Sequence, residues 1–132
     1  MINATKDKLN FNNFNEKVVN GIEIYSISNV AFNIYKNNAK RDTNISRDVL
    51  ERKLTAMILS NNIHTKLNGK YVYRFSGFAM IVNEDSKKIE TISWIKDTHA
   101  STRITKEMRN NLRKNLKLLG LNSKGNNYSK RG

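Results

Sequence analysis

Three short runs of β-branched and aromatic residues dominate the middle of the chain, between residues 66 and 99. In order, they read Lys-Tyr-Val-Tyr-Arg-Phe, Phe-Ala-Met-Ile-Val and Ile-Glu-Thr-Ile-Ser-Trp-Ile-Lys. Turn-forming residues separate the runs, with Ser76 and Gly77 after the first and residues 83–87 after the second. This pattern predicts an antiparallel meander of three strands.

A strand and two helices are predicted before the meander. Residues 22–27 alternate apolar and polar side chains, which is typical of a strand. Ser28 is a candidate N-cap for a helix to about residue 40, and Ser46 is a candidate N-cap for a helix that Asn61 and Asn62 end. Their apolar stripes predict that both helices pack on one face of the sheet. The stripes are Val30, Ala31, Ile34 and Tyr35 in the first helix, and Val49, Leu50, Leu54, Met57 and Ile58 in the second.

A last helix is predicted from Thr102 or Thr105 to Leu119, with Gly120 at its C-terminal cap. One side of this helix is apolar and another side is basic. The apolar positions are Ile104, Met108, Leu112, Leu116 and Leu119, and the basic positions are Lys106, Arg109, Arg113 and Lys117.

These elements together predict an α+β fold. Two helices pack on a four-stranded, mainly antiparallel sheet in the order β-α-α-β-β-β, and a basic C-terminal helix follows. A chain of 132 residues has room for one domain. We expect residues 1–20 to form an N-terminal arm or a short helix, residues 21–120 the single domain, and residues 121–132 a basic flexible tail.

The charge of the chain points to polyanionic partners. Lys and Arg number 24 and Asp and Glu 11, so the formal net charge is 24 − 11 = +13. Residues 103–132 hold nine basic residues and one Glu, a net of +8. A basic helix with a basic tail is suited to neutralising several phosphates, so RNA or DNA is favoured over an anionic membrane. The alternative interpretation is a basic but merely solvated helix face.

Several classes of site are disfavoured by composition. The chain has no Cys, which excludes disulfides and thiolate metal sites, and a zinc site built on its two His would need carboxylate ligands. We therefore expect no metal and no cofactor. No run reaches the roughly 18 to 20 apolar residues of a membrane span, and the N-terminus lacks the apolar core of a signal peptide. We expect a cytoplasmic protein without a membrane partner.

Strand alternation separates the aromatic and basic residues of the first run of the meander. Tyr71, Tyr73 and Phe75 share one side, which we expect to face the core, whereas Lys70 and Arg74 lie on the other side. Arg74 is the strongest phosphate candidate, because a guanidinium in mid-strand among apolar neighbours costs desolvation unless it is bound. The alternative is a cross-strand ion pair with Glu90.

The order of elements resembles the RelE-type ribonuclease fold, in the broader group of small RNA-cleaving domains that includes barnase-like and colicin-type toxin nucleases. The resemblance spans residues 22–95. It is carried by Tyr-Ser-Ile-Ser-Asn-Val from Tyr25, by the two-helix segment ending at Ile58, by Gly-Lys-Tyr-Val-Tyr-Arg-Phe-Ser-Gly-Phe from Gly69, and by Ile-Glu-Thr-Ile from Ile89.

The resemblance implies a metal-independent endoribonuclease of toxin or phage-regulator type, acting on mRNA or tRNA by attack of the ribose 2′-hydroxyl. Such cleavage needs a base, an acid and cations that stabilise the phosphorane. The candidate catalytic residues are Arg74, His99, Lys70 and His64. The candidate RNA-binding residues are Lys66, Trp94, Lys96, Arg103, Lys106, Arg109, Arg113 and Lys117, of which Trp94 could stack a base or belong to the core. The alternatives are a non-catalytic nucleic-acid-binding regulator and a small inhibitor or interaction protein that docks on an acidic partner surface. The possible protein partners are a cognate antitoxin and an acidic protein.

Overall fold

A computed structural model describes residues 18–39, 42–61, 64–75, 78–94 and 105–122 of the chain. The three helices among these residues begin at predicted capping residues, and the cap of the last one is Thr105, one of its two candidates. Ser28 Oγ accepts from the N–H of Ala31, Ser46 Oγ from that of Val49, and Thr105 Oγ1 from that of Met108. The helices are α1 (Asn29–Asn38), α2 (Arg47–Ser60) and α3 (Lys106–Leu118). Each cap satisfies a backbone donor that the first helical turn leaves unpaired.

The described strands form a five-stranded mixed sheet and a separate two-stranded hairpin. The hairpin pairs β1 (Val18–Val19) with β2 (Ile22–Glu23). The main sheet has the order β3-β7-β6-β5-β4, in which β3 pairs parallel with β7 and the other pairs are antiparallel. Its strands are β3 (Ser26–Ile27), β4 (His64–Leu67), β5 (Lys70–Phe75), β6 (Phe78–Asn83) and β7 (Lys88–Trp94).

The α+β class and the meander are confirmed, but the predicted four-stranded layout is wrong in two respects. The single strand expected over residues 22–27 is divided, because Ile22 and Glu23 pair with β1 while Ser26 and Ile27 pair with β7. Residues 64–67 add a strand, β4, that the prediction lacked. The arm or short helix predicted for residues 1–20 lies outside the described ranges up to residue 17, and Val18 and Val19 form β1.

Two Asn-Gly pairs account for both differences. Asn20 and Gly21 have φ of 52° and 78°, and Asn68 and Gly69 have φ of 53° and 80°. Positive φ at both central residues is the geometry of the type I′ turn, whose twist matches that of a two-stranded hairpin. The first pair joins β1 to β2 and the second joins β4 to β5.

A β-bulge in β7 adjusts its two isoleucines to the core. Ile81 pairs with Thr91 and Val82 with Ile89, so Glu90 is an extra residue between them. Ile89 and Ile92 are three positions apart and would face opposite sides of a regular strand. The bulge places both on the same face, where both are buried.

The core lies between one face of the sheet and the first two helices. Ala31, Tyr35, Leu50, Leu54 and Ile58 of the helices pack there against the sheet. The sheet residues in this cluster include Ile27, Tyr73, Met80, Val82, Ile89 and Ile92, with Tyr71 and Trp94 packed against it. The aromatic side of β5 therefore faces the core, as the alternation predicts.

Helix α2 packs against α3 on the side that faces away from the sheet. Ala56 of α2 packs with Leu116, Leu119 and Leu121 in a second apolar cluster. Leu54 and Ala56 are two residues apart and project about 160° apart around the helix. Helix α2 is thus sandwiched between the sheet and α3.

Helix α2 closes the outer edge of β3 by side-chain contacts. Thr55 Oγ1 accepts from the N–H of Tyr25 at 2.9 Å, and the buried Glu51 accepts from the N–H of Ile27 at 2.9 Å. Arg47 donates to the carbonyl of Ile27. Arg47, Glu51 and Thr55 are four residues apart and therefore line one side of α2. Their side chains make the hydrogen bonds that a neighbouring strand would otherwise make to the backbone at this edge.

Candidate nucleic-acid interface

Helix α3 presents a continuous basic face. Its five cations, Lys106, Arg109, Arg113, Lys114 and Lys117, are all exposed. On the opposite side Met108, Leu116 and Leu119 are buried. Within the described ranges no carboxylate forms an ion pair with these five residues, whereas Arg52, Lys53, Lys70 and Lys87 are all paired. We call the five residues the basic face of α3.

Two side chains from elsewhere hold the C-terminus of α3. Arg52 of α2 donates from Nη1 to the carbonyl of Leu119 at 3.0 Å, and Asn20 of the hairpin donates to the carbonyl of Leu118. Gly120 follows with φ of 80°, and a Cβ there would lie 3.2 Å from Arg52 Nη1. A guanidinium at these carbonyls also complements the negative end of the helix dipole. The orientation of the basic face is therefore fixed by packing at one side and by capping at the end.

The other candidate surface is the side of the sheet that faces away from the helices, which we call the outer face. Lys70, Val72 and Arg74 of β5 lie on it, and Val72 and Ala79 are buried near its centre. Arg74 donates to Thr65 Oγ1 of β4 at 3.3 Å. Among the described residues no carboxylate pairs with Arg74.

Glu90 pairs with Lys70 rather than with Arg74. Lys70 Nζ donates to Glu90 Oε1, and Asn83 Nδ2 lies 3.5 Å from Glu90 Oε2. The hydrogen bond and charge of Lys70 lower the pKa of the Glu90 carboxyl. The alternative in which Glu90 neutralises Arg74 is thus not what the structure shows, and Lys70 is the neutralised cation of the two.

The remaining candidate residues are divided among several places. Lys66 is exposed, and its ammonium lies 5.8 Å from the ring centroid of Tyr71. Trp94 packs against the core, with its ring centroid 5.8 Å from that of Tyr35. His64 lies in β4, where its backbone pairs with Tyr73, but its side chain is not described. Lys96, His99 and Arg103 lie outside the described residues.

The basic face of α3 and the outer face of the sheet lie on opposite sides of the molecule. The layers follow the order sheet, α2 and α3, and each candidate surface points away from α2. The structure therefore places Arg74 and Lys70 on one face of the sheet, with different partners, and Lys106, Arg109, Arg113 and Lys117 on one face of α3. It does not join the two sets into one site.

A polar cluster that the sequence reasoning missed lies at one end of the core. Tyr25 Oη donates to Glu84 at 2.8 Å, and Tyr73 Oη donates to the same carboxylate. Lys87 Nζ lies 3.3 Å from Glu84 and 5.0 Å from the ring centroid of Tyr25. One feature of the sequence could have indicated this cluster. Glu84 lies in the turn that directly follows a strand with a buried face, so its carboxylate is close to the end of the core.

Burial and charge shift the pKa values in this cluster. Burial raises the pKa of Glu84, but hydrogen bonds from Tyr73, Tyr25 and Lys87 outweigh it, so the pKa lies below its ordinary value of 4.5. Burial, together with the hydrogen bonds and charge of Glu84, raises the pKa of both tyrosines well above 10.0. The cluster therefore favours an ionised carboxylate between two neutral phenols.

We expect the stability of the protein to fall as the pH drops below about 4.5, because unfolded Glu84 then binds a proton that the folded carboxyl resists. The Glu84→Gln substitution should make the free energy of unfolding less dependent on pH. Part of the dependence should remain, because the other ion-paired carboxylates are still present. Urea unfolding between about pH 3 and pH 7 measures the slope of the unfolding free energy against pH. The same slope in both proteins would contradict the prediction. Stability should also fall above about pH 10, where the unfolded tyrosines ionise first.

Other kinds of site find no support within the described ranges. No group of three or more His, Cys, Asp or Glu there could hold a metal ion. None of the described helices combines the length and the apolar character needed to cross a membrane. Comparison of the chain with protein-family models, curated proteins and solved structures found no match. The two basic surfaces must therefore be judged by their own chemistry.

Proposed function

We propose that this protein binds nucleic acid through the basic face of α3. The supporting observation is that five exposed cations share one side of a helix that is anchored on its other side. They span about 16 Å along the helix axis from Lys106 to Lys117. Cations at this spacing that form no ion pair with a described carboxylate are suited to contacting successive phosphates, and each contact releases condensed counterions.

The salt dependence of binding tests this proposal. If four or five phosphates are neutralised, the logarithm of the association constant should fall against the logarithm of the salt concentration with a slope of about −3 to −4.5. Fluorescence anisotropy with a labelled oligonucleotide at several NaCl concentrations measures the slope. A slope near zero, or no binding at low salt, would contradict the proposal.

A second candidate function, cleavage of RNA on the outer face of the sheet, is favoured by one observation. Arg74, the last residue but one of β5, donates to a hydroxyl and has no carboxylate partner among the described residues. A guanidinium in this state can bind a phosphodiester through two hydrogen bonds and stabilise the charge that develops when a 2′-hydroxyl attacks. His64 in β4, or His99 beyond the described ranges, would then be the acid or base that the resemblance implies.

Cleavage has a direct test that does not depend on α3. The purified protein should cut RNA in the presence of EDTA, and Arg74→Ala should lower kcat/KM by at least about a hundredfold. Lys36→Ala, which removes a cation from α1, is the matched control and should leave the rate unchanged. Thermal unfolding of each variant checks that folding is intact. If the wild-type protein cuts no RNA, this second function is excluded. The proposal that α3 binds nucleic acid does not depend on that result.

A further inference from the structure

We propose that the nucleic acid bound by the basic face of α3 is double-stranded DNA, and that α3 enters its major groove. This inference rests on the proposed function, which it makes more specific. It is carried by the exposure of α3, by the angular spread of its cations, and by the position of the described aromatic side chains.

Half of the circumference of α3 is available to a groove. The exposed positions run from Arg109 on one flank, through the basic face, to Glu107 and Leu118 on the other flank. An α-helix with its side chains is about 10–12 Å in diameter, and the major groove of B-form DNA is about 12 Å wide and 8.5 Å deep. The major groove of A-form RNA is deep and narrow and does not admit a helix in this way.

The cations of α3 spread toward both walls of such a groove. Arg109 and Lys114 are five residues apart and project about 140° apart around the helix. Lys106, Arg113 and Lys117 project between these two directions. Asn110 lies in the same sector, and its Oδ1 accepts from Arg113 Nη1 at 3.1 Å. Arg109 and Lys114 are thus placed for phosphates of opposite strands, with Arg113 and Asn110 nearer the base edges.

Single strands are disfavoured because the described aromatic rings are not presented for stacking. Lys36 and Arg47 lie over the ring of Phe32, and Lys66 lies over Tyr71. Trp94 packs with Tyr35, and Tyr25, Tyr73 and Phe75 are buried. Proteins that bind single strands combine a basic surface with exposed rings on which bases stack. Among the described residues, the basic face of α3 has the first feature without the second.

The test compares three labelled oligonucleotides of one sequence with the full-length protein: a DNA duplex of about two helical turns, the matching RNA duplex, and single-stranded DNA. At equal salt we expect the DNA duplex to bind at least about tenfold more tightly than either of the others. Dimethyl sulfate then reports the groove, because it methylates guanine N7 in the major groove and adenine N3 in the minor groove. We expect bound protein to protect N7 and to leave N3 reactive.

The outcomes separate this inference from the proposed function. Equal or tighter binding of the RNA duplex or of the single strand, or duplex binding without N7 protection, overturns the major-groove inference and leaves backbone binding in place. Absence of binding to all three oligonucleotides overturns both. Arg109→Gln and Lys114→Gln should each reduce the salt slope for the DNA duplex by about one. Lys36→Gln on α1 should leave that slope unchanged.

Discussion

Replacing Arg109 and Arg113 by glutamate is expected to weaken nucleic-acid binding by at least about a hundredfold at physiological salt. A charge-assisted hydrogen bond is worth about 1.5 kcal/mol or more, so the loss of two such contacts to the nucleic acid amounts to about 3 kcal/mol. The new carboxylates also repel the backbone, which increases the loss. Both arginines are exposed and form no ion pair with a described residue, so folding should be preserved.

The control for this variant must change the net charge equally without altering α3. The K36E/K88E variant meets that requirement, since it reverses two cations on α1 and at the start of β7. Anisotropy titrations of both variants at one salt concentration measure the effect. Equal weakening in the two variants would mean that binding follows the overall charge of the protein, and the assignment to α3 would be wrong.

The second large effect is expected in stability, from Glu51→Ala. Glu51 is 2% exposed and accepts the N–H of Ile27 at the edge of β3. Removing the acceptor leaves a buried donor without its partner, and truncation also leaves a cavity beside the core. We expect the free energy of unfolding to fall by about 2 to 4 kcal/mol.

Two further substitutions show whether the acceptor is what matters. Glu51→Gln keeps an oxygen in nearly the same place and should recover most of the loss. Asp48→Ala removes an exposed carboxylate from the first turn of the same helix, where it pairs with Arg52, and should cost less than about 1 kcal/mol. Urea unfolding of the three variants measures the differences. A Glu51→Gln variant as unstable as Glu51→Ala would contradict the prediction.

Local patterns in the sequence predicted most of the secondary structure. Ser28, Ser46 and Thr105 cap the three described helices because a hydroxyl ahead of an apolar period satisfies the first free N–H groups. Strand alternation correctly assigned Tyr73 to the core and Arg74 to the outer face. The Asn-Gly pairs at 20–21 and 68–69 carried enough information to predict both missed strand pairings, since Asn-Gly between strands favours a type I′ turn.

The partners of the charged side chains could not be predicted in this way. Glu90 lies at a bulge, and a bulge depends on how Ile89 and Ile92 fit the core rather than on local propensity. Its pairing with Lys70 instead of Arg74 also depends on the register of the sheet, in which Arg74 lies opposite Ala79 and Ala79 lies opposite Ser93. Likewise, the basic positions on α3 and β5 are equally visible in the sequence, but only the packing of α3 on α2 places them on opposite sides.

The two apolar sides of α2 also determine which experiments on α3 can be interpreted. A chain shortened before residue 105 would expose Ile24 and Ala56, which are buried in the cluster with Leu116 and Leu119. Apolar surface uncovered in this way promotes aggregation. Loss of binding in a truncated protein would therefore report misfolding as readily as a missing interface, which makes substitution of exposed side chains the informative approach.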